Sequence, residues 1–485
     1  MKITELKPAL VWQAFDEITK VPRPTHHLDK MKAFLLDWAK RHNIEADSDA
    51  VGNVVMRVPA TPGCENAPVV VLQAHQDMVA EKNPGVKHDF MTDPITTVID
   101  GDWVRAEGTT LGADDGMGCA AAMACLIDPD LKHGPLEALF TVDEEQGLIG
   151  ANGLQAGFIH GDVLLNLDSE EMGQLVIGCA GGKVTECRLP YRRVPMPTDL
   201  VCYKVSLGGL KGGHSGMEIG LGRANANQQL ARTLWEADRV TPLELCEIDG
   251  GNLANAIPRD AHAVVAVSRD NTVAFENFII AHNDMLHAEF ALAENKDFSL
   301  VAEPVDPRAD IIESGTAHRL IAALFACPNG VQGMSLAIDG LIETSCNLAS
   351  VKMADDKILV TIHQRSAVDS RRDEIADRIS ALFGMIGADV SFDDAYVGWS
   401  PDPESKVLKI AEASYKDLFH AEPRVEALHA GLECGLFLEK MPGLDMVSFG
   451  PTLKSIHSPS EKVLIESVAQ FYDLLHEIIS RLAKS

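Results

Sequence analysis

The chain has 485 residues, 46 % of them hydrophobic and 23 % charged, and its formal net charge is −29 at pH 7. This length favours two domains over a single core, and the acidic balance argues against nucleic acid and anionic membranes as partners. We find no apolar stretch long enough for a signal peptide or a transmembrane helix. The ten cysteines show no CxxC spacing, which indicates reduced thiols, so we expect a cytoplasmic protein.

The first predicted elements are two helices and a strand. Apolar residues recur at helical spacing over residues 8–20 and 28–42, and prolines separate these two stretches. Residues 52–58 have the composition of a strand. We interpret the two helices as packing elements.

A buried strand follows at residues 69–72 and leads into His75 and Asp77. The run is β-branched or leucine and is too short for a free helix. Ligands bind at the carboxyl ends of strands in open parallel sheets. There, His75 can present a ring nitrogen to a metal and Asp77 can hold the other ring nitrogen. Taken alone, the same pattern also fits a core histidine beside an acid.

A pair of aspartates flanked by glycines, Asp114 and Asp115, follows a stretch that predicts loops and a hairpin over residues 81–107. A helix of small residues over 119–127 comes next. This turn has neither the GxxxxGK[ST] nor the GxGxxG pattern, and two adjacent acids would repel a phosphate. The turn therefore favours a divalent cation.

Two further apolar runs end in acidic residues. Residues 136–142 lead into Glu144 and Glu145, and residues 163–167 lead into Asp168. Taken alone, two adjacent glutamates fit an exposed turn, but three strands that each end in a histidine or a carboxylate are a less probable coincidence. Strands that alternate with helices predict an α/β fold, with a mostly parallel sheet flanked by helices.

The pattern changes near residue 183, where alternating strands replace the buried runs. Half-buried strands with amphipathic helices between them predict an antiparallel sheet covered by helices. We expect these helices over residues 222–236, 273–294, 316–325 and 369–386. The sequence thus predicts a catalytic domain formed by residues 1–182 and 398–485, interrupted by an inserted α+β domain at 183–397.

After residue 398 the chain is predicted to return to the first domain. The expected elements are a helix over 405–419, a strand over 444–449 and a final helix over 461–483. His457 lies in the loop after this strand, as the earlier candidates lie after theirs. We therefore group it with them.

These candidates have the chemistry of a metal site. Zinc binds histidine nitrogen and carboxylate oxygen, and an open catalytic site takes three protein ligands. Five side chains are too many for one such ion, so we expect two Zn²⁺ that share a carboxylate, with Mn²⁺ or Co²⁺ able to use the same ligands. Such a pair can hold a bridging hydroxide, and Glu144 is the candidate general base. The five candidate ligands are His75, Asp114, Glu145, Asp168 and His457.

The order of these motifs resembles the M20 family of dizinc metallopeptidases, and the resemblance covers essentially the whole chain. The further motifs that carry it are Gly212-Gly-His-Ser-Gly216, Asn255-Ala-Ile-Pro258, His429-Ala-Gly-Leu-Glu-Cys-Gly435, and Gly450-Pro-Thr before His457-Ser-Pro. The resemblance implies a zinc-peptidase-like catalytic domain, with the inserted domain as a lid that closes over the substrate. It also implies hydrolysis of unblocked dipeptides, including Xaa-His dipeptides.

The resemblance implies a role for each metal candidate. Asp114 would bridge the two zincs, His75 and Asp168 would complete one site, and Glu145 and His457 would complete the other. The peptide bond between the bridging aspartate and the next residue is expected to be cis.

Other residues receive roles around this centre. The resemblance implies that Asp77 orients the first histidine ligand, and that Glu144 moves a proton from the attacking water to the leaving amine. In the inserted domain, His214 would donate to the developing oxyanion. Asn255 and Arg365 would hold the substrate backbone and its terminal carboxylate. Taken alone, His214 fits a turn histidine between glycines, and Arg365 fits a surface charge.

Two alternatives stay open. One is an N-acyl-amino-acid amidohydrolase of the same fold, and the other is a non-catalytic metal-binding protein, which would have no use for Glu144 as a base. The inserted domain is larger than is typical of the family. The sequence therefore leaves open whether this domain replaces the partner subunit of a homodimer.

Overall fold

A computed structural model describes residues 2–393 and 395–484. The described chain divides into two compact units, where the sequence predicted boundaries after residues 182 and 397. The first unit comprises Met1–Gly178, Pro401–Ala427 and Leu432–Ser485, and the second comprises Cys179–Ser400 and Leu428–Gly431. The short segment Leu428–Gly431 thus packs with the second unit, although both of its neighbouring segments belong to the first.

Most of the first unit is formed by the N-terminal part of the chain. Its helices are α1 (Ala9–Ile18), α2 (Asp29–Arg41), α3 (Ala113–Ile127) and α4 (Ile149–Gly153). Its strands are β1 (Glu45–Ser48), β2 (Val54–Val58), β3 (Val70–His75), β4 (Thr97–Asp100), β5 (Trp103–Ala106), β6 (Leu136–Thr141), β7 (Val163–Asn166) and β8 (Gln174–Cys179). The predicted hairpin is β4–β5.

The central part of the chain alternates strands with helices. Its strands are β9 (Gly181–Pro190), β10 (Arg193–Pro195), β11 (Leu200–Gly208), β12 (Gly213–His214), β13 (Leu243–Gly250), β14 (Ala256–Ile257), β15 (Ala261–Ser268), β16 (Ser299–Val305), β17 (Asp310–Ile312), β18 (Gly330–Met334), β19 (Ile342–Met353), β20 (Lys357–Ser366) and β21 (Asp389–Phe392). Its helices are α5 (Ala226–Val240), α6 (Thr272–Glu289), α7 (Ser314–Ala326) and α8 (Asp369–Met385).

The C-terminal part of the chain returns to the first unit. Its helices are α9 (Lys406–Phe419), α10 (Glu433–Lys440) and α11 (Ile465–Leu482), and its strands are β22 (Arg424–Leu428), β23 (Asp445–Ser448), β24 (Leu453–Lys454) and β25 (Lys462–Leu464). Short 3-10 helices lie at Ile3–Glu5, Ile219–Leu221 and Arg269–Asn271. Among the described helices, none is both long and apolar enough to span a membrane.

The main sheet of the first unit places four strand ends at one edge. Its described strands have the order β1-β2-β6-β3-β7-β23-β8-β22. The central strands β6, β3, β7 and β23 are parallel, while β1, β2 and β8 pair antiparallel to their neighbours. Every residue of β3 and β6 is buried, as expected for strands covered on both faces. The predicted α/β class is confirmed, and the parallel part is the centre of the sheet.

The predicted start of the final helix is wrong. Residues 462–464 form strand β25, which pairs with β24 and β5, and the helix begins at Ile465. Val463 is fully buried between two half-buried residues, so the stretch alternates as a strand does. This short strand closes the loop that carries His457.

The second unit is an antiparallel sheet with helices. Its described strands have the order β16-β11-β15-β13-β19-β20-β9-β21, with β18 beside β19. Side chains from α5, α6, α7 and α8 join those of the strands in one apolar core. The helix predicted to start at residue 222 begins at Ala226, because the Asn225 side chain caps it by accepting the N–H of Gln228 at 3.1 Å.

Candidate active site

The parallel strands of the first unit carry three of the five predicted metal ligands to one edge of the sheet. Strand β3 ends on His75, and the loops after β6 and β7 contain Glu145 and Asp168. His457 lies in the turn between β24 and β25. Asp114 enters from the turn at the start of α3, where the Asp114–Asp115 peptide bond is cis. Strand ends that meet at one edge explain how residues distant in sequence become neighbours. The residues brought together are His75, Asp114, Glu145, Asp168 and His457.

These five side chains form two groups that share Asp114. In one group, His75 Nε2 lies 3.0 Å from Asp114 Oδ1 and 3.4 Å from Asp168 Oδ1. In the other, His457 Nε2 lies 3.1 Å from Asp114 Oδ2 and 2.9 Å from Glu145 Oε2. Within each group the candidate ligand atoms lie within 4.8 Å of one another. Nitrogen and carboxylate oxygen in this arrangement suit a divalent cation such as zinc.

The electrostatics of the two groups reflect acids crowded around two imidazoles. Hydrogen bonds to Asp114 and Glu145 raise the pKa of His457 to about 11. Burial disfavours the charged form of Asp114, yet hydrogen bonds to His457 and His75 hold its pKa below the usual value. Burial raises the pKa of Asp168 to about 6. The carboxylates thus favour the protonated form of the imidazoles, and a bound metal cation would take the place of those protons.

Asp77 connects the first histidine to the acidic turn after β6. Its carboxylate is fully buried, and Oδ1 lies 3.4 Å from Nδ1 of His75. It also accepts the backbone N–H groups of Glu144 at 3.0 Å and of Glu145 at 3.3 Å. Burial raises the pKa of Glu144 well above its usual value, and the nearby Asp168 carboxylate adds to this effect.

In the second unit, a short ladder between β12 and β14 brings His214 next to Asn255. The backbone N–H of Ser215 donates to the carbonyl of Asn255 at 2.8 Å. His214 Nδ1 accepts the N–H groups of Gly216 at 3.2 Å and Met217 at 3.1 Å. Because Nδ1 accepts, the proton of the neutral ring lies on Nε2, which can donate. Burial and the charge of Arg365 lower the pKa of His214, which favours this neutral form.

Arg365 lies on β20 and is 4 % exposed. Its Nη1 donates to the hydroxyl of Tyr396 at 2.9 Å, while Nε has no partner among the described residues. Burial, with Arg365 as the next cause, lowers the pKa of His363 to about 3 and that of His429 to about 4. The second unit therefore holds a buried cation among neutral histidines, and such a site favours an anionic group.

Comparison with known proteins identifies the family. The model of peptidase family M20/M25/M40 matches residues 71–481. The chain belongs to this family. It is 41 % identical over 481 residues to the cytosol non-specific dipeptidase of Escherichia coli (strain K12), and the match covers 99 % of each chain. The resemblance to M20 peptidases in the sequence is thus confirmed.

Solved structures support the same family. The aminoacylhistidine dipeptidase from Vibrio alginolyticus is 42 % identical to this M20 chain and superposes with a TM-score of 0.94, covering 99 % of this chain and 98 % of that one. A tripeptidase from Staphylococcus aureus subsp. aureus Mu50 superposes with a TM-score of 0.58 at 16 % identity, covering 99 % and 100 %. The second likeness shows the fold alone.

Three buried charged residues near the five candidate ligands are either missed by sequence reasoning or left without a role. Glu433 lies at the start of α10, and its carboxylate accepts hydrogen bonds from Gln73 and Thr141, both at 2.7 Å. The sequence places Arg23 only in the break between two helices, and Glu461 only at the start of the final helix. Nothing in the local sequence of either residue signals burial, apart from the two prolines that flank Arg23.

Proposed function

We propose that this M20 chain is a dipeptidase that uses two zinc ions. The observation that carries the proposal is the position of Asp114, whose two oxygens face two different histidines. Oδ1 lies 3.0 Å from Nε2 of His75, and Oδ2 lies 3.1 Å from Nε2 of His457. A carboxylate placed in this way suits a ligand shared by two ions.

The donor set fits two ions better than one. Asp168 would complete the site of His75, and Glu145 that of His457, so that each zinc has one nitrogen and two carboxylate ligands, with Asp114 shared. Manganese or cobalt could use the same ligands. When bound, the two ions supply Lewis acidity toward the substrate carbonyl and lower the pKa of water.

Asp77 acts through His75. A carboxylate beside Nδ1 fixes the tautomer that leaves Nε2 free to bind a metal. The same carboxylate accepts the N–H of Glu144, so it also orients the acidic turn. We assign Asp77 as a positioning residue.

Glu144 is the proposed general base. It lies beside Glu145 but belongs to neither of the two ligand groups, so its carboxylate remains available for proton transfer. It would accept a proton from the attacking water and deliver it to the leaving amine. Groups that transfer a proton in this way typically accelerate a reaction by about 10²- to 10⁴-fold.

The second unit would bind the substrate. His214 donates through Nε2 to the oxygen on which negative charge develops, because its Nδ1 is occupied as an acceptor. Arg365 would bind the terminal carboxylate of the dipeptide, and its planar fork suits that group. Asn255, whose backbone adjoins His214, would hold the substrate backbone.

The substrate class follows from the relatives. Their names are cytosol non-specific dipeptidase and aminoacylhistidine dipeptidase. We therefore propose unblocked dipeptides as substrates, including Xaa-His dipeptides, and a cytoplasmic location. The remaining alternatives are an N-acyl-amino-acid amidohydrolase and a metal-binding protein without catalysis.

The test is the Glu144→Gln variant, assayed on alanyl-histidine and on its N-acetyl derivative. We expect the wild type to cleave the free dipeptide faster, and the variant to lose about 10²-fold or more in kcat while retaining two zinc ions. Unchanged turnover by Glu144→Gln would refute the assigned base. Faster cleavage of the N-acetyl derivative by the wild type would favour the amidohydrolase, and no cleavage of either would favour the metal-binding protein.

A further inference from the structure

A single buried carboxylate holds the turn that carries Asp114. Glu461 is 2 % exposed, and its Oε2 accepts the backbone N–H groups of Leu111 at 2.7 Å and Gly112 at 2.9 Å. Its Oε1 accepts those of Ala113 at 2.7 Å and Asp114 at 3.3 Å. A carboxylate offers about four acceptor sites, so the turn takes up the capacity of this one. The orientation of four consecutive peptides therefore depends on Glu461.

A buried guanidinium also contacts this turn. Arg23 is 2 % exposed, and its Nη1 donates to the carbonyls of Gln76 at 2.9 Å and Asp77 at 2.8 Å. Its Nη2 donates to the carbonyl of Gly112. Because the guanidinium is planar and rigid, these contacts fix the turn relative to the end of β3.

Glycine at two positions leaves the room that this guanidinium needs. A Cβ atom at Gly112 or at Gly116 would lie 2.6 Å from Nη2 of Arg23, which is too close for a carbon atom. Gly112 also has a φ of +69°, a conformation that favours glycine. The glycines around the aspartate pair thus leave space for the Arg23 side chain, and Gly112 also allows the backbone conformation of the turn.

The two contacts join Asp114 to both of the other ligand-bearing segments. Glu461 follows His457 by four residues and precedes β25, and Arg23 contacts the residues that directly follow His75. We infer that Arg23 and Glu461 are positioning residues that hold the Asp114 carboxylate between the two histidines. We call this pair the turn clamp. The inference deepens the proposed function and rests on its two-metal centre.

The clamp makes a specific prediction for zinc binding. In Glu461→Gln, one oxygen is replaced by an NH₂ group that faces two backbone N–H donors, so half of the contacts are lost. Since Asp114 belongs to both ligand groups, both zinc ions should bind more weakly. Loss of a group that orients ligands typically lowers metal affinity by about 10- to 100-fold. Arg23→Lys should act in the same direction, because an ammonium cannot span the three carbonyls.

Glu137→Gln is the matched control. Glu137 is also a buried glutamate of the first unit, but it lies at the amino end of β6 and pairs with Arg57 at 3.0 Å. Its replacement should lower the unfolding temperature without changing zinc affinity. This separates a loss of stability from a loss of positioning.

The experiment is a zinc titration of the metal-free proteins against a chromophoric chelator, with unfolding temperatures measured in parallel. We expect two zinc ions per wild-type chain, and a 10- to 100-fold higher Kd for Glu461→Gln and for Arg23→Lys but not for Glu137→Gln. Wild-type affinity in either clamp variant would overturn the inference and leave the two-metal centre intact. Fewer than two ions per wild-type chain would instead overturn the proposed function and the clamp with it. If one clamp variant fails to fold, the other decides the question.

Discussion

Glu433 is a buried acid near the candidate metal ligands, and it belongs to neither of the two ligand groups. It is 1 % exposed, and its Oε1 has no partner among the described residues. Burial raises its pKa to about 7. Its partners Gln73 and Thr141 lie in β3 and β6, so this acid is attached to the strands that end at the cluster. Glu433 therefore carries a proton in the folded protein at pH values where an exposed glutamate has lost it.

The free energy of unfolding of the Glu433→Gln variant should increase relative to that of the wild type as pH rises. Between the ordinary pKa of 4.5 and about 7, the folded chain retains this proton while the unfolded chain has released it. The free energy of unfolding of the wild type therefore falls across this window and the loss is complete above it. Glutamine removes this dependence, so the variant should gain up to about 3 kcal/mol relative to the wild type between pH 5 and pH 8.

Urea unfolding of the metal-free proteins at both pH values measures this difference. Any change in the free energy of unfolding that the glutamine side chain causes independently of pH cancels when the difference between variant and wild type at pH 5 is compared with that at pH 8. An equal difference between variant and wild type at pH 5 and pH 8 would contradict the raised pKa.

Individual residues differ in how far the sequence predicts them. The proximity of His75, Glu145 and Asp168 could be predicted because each lies at or just after the end of a parallel strand, and such ends meet at one edge. Arg23 and Glu461 could not, because their partners lie far along the chain and a lone charged residue is normally exposed. The turn clamp depends on tertiary contacts that no local pattern records.

The first turn of α3 shows how one element depends on another. The first turn of this helix contains Asp114 and Asp115, both with backbone angles that are not helical, and is followed by a run of buried small residues. The helix itself could be predicted from those residues. The shape of its first turn could not, because the contacts of Arg23 and Glu461 impose it from outside the element.

Replacing Gly112 with alanine tests this dependence. Gly222 has the same φ of +69°, but a Cβ atom there would meet no other atom within 4 Å, so Gly222→Ala is the matched control. Both variants should incur the backbone cost of alanine at positive φ, about 1 kcal/mol. Gly112→Ala should lose a further 1–3 kcal/mol, approximately, because its Cβ would lie 2.6 Å from Nη2 of Arg23 and 2.7 Å from Sδ of Met78.

Chemical denaturation of both variants and the wild type provides the comparison. Equal losses of unfolding free energy in the two alanine variants would show that the side chains of Arg23 and Met78 both move aside without cost. In that case the turn does not depend on the position of Arg23.

At the scale of elements, buried strands were predicted more accurately than helix ends. The apolar run at 69–72 corresponds to β3 because continuous burial leaves little choice of structure. The start of the last helix was wrong because Lys462-Val463-Leu464 pairs with β5, a partner distant in sequence. Strand pairing of this kind overrides local helical spacing.

At the scale of the whole molecule, the predicted residues fall into two units. All five metal candidates belong to the first unit, and His214, Asn255 and Arg365 belong to the second. Metal binding and substrate binding should therefore respond to different substitutions. This division follows from a chain that leaves the first unit near residue 178 and returns to it near residue 401.

Arg365→Ala tests the division. If Arg365 binds the terminal carboxylate, the variant should raise KM and lower kcat/KM for alanyl-histidine by about 10- to 100-fold, the typical effect of a lost hydrogen bond to a charged group. Zinc content should not change, because all five metal candidates belong to the first unit.

A dipeptide with an amidated C-terminus is the control for Arg365→Ala. This substrate has no carboxylate, so wild type and variant should cleave it at similar rates. A defect of the same size on both substrates would show that Arg365 does not bind the carboxylate. Steady-state kinetics on the two substrates distinguish these outcomes.

Asp114 faces one histidine from early in the chain and one from late in it. In the two-metal assignment, a ribosome must therefore synthesise the segment around residue 457 before the second half of the cluster can exist. A fragment released by interrupted translation would lack the second ligand group and, in this assignment, could not assemble the two-metal centre. In this assignment, the order in which the ligands are translated would keep unfinished copies inactive.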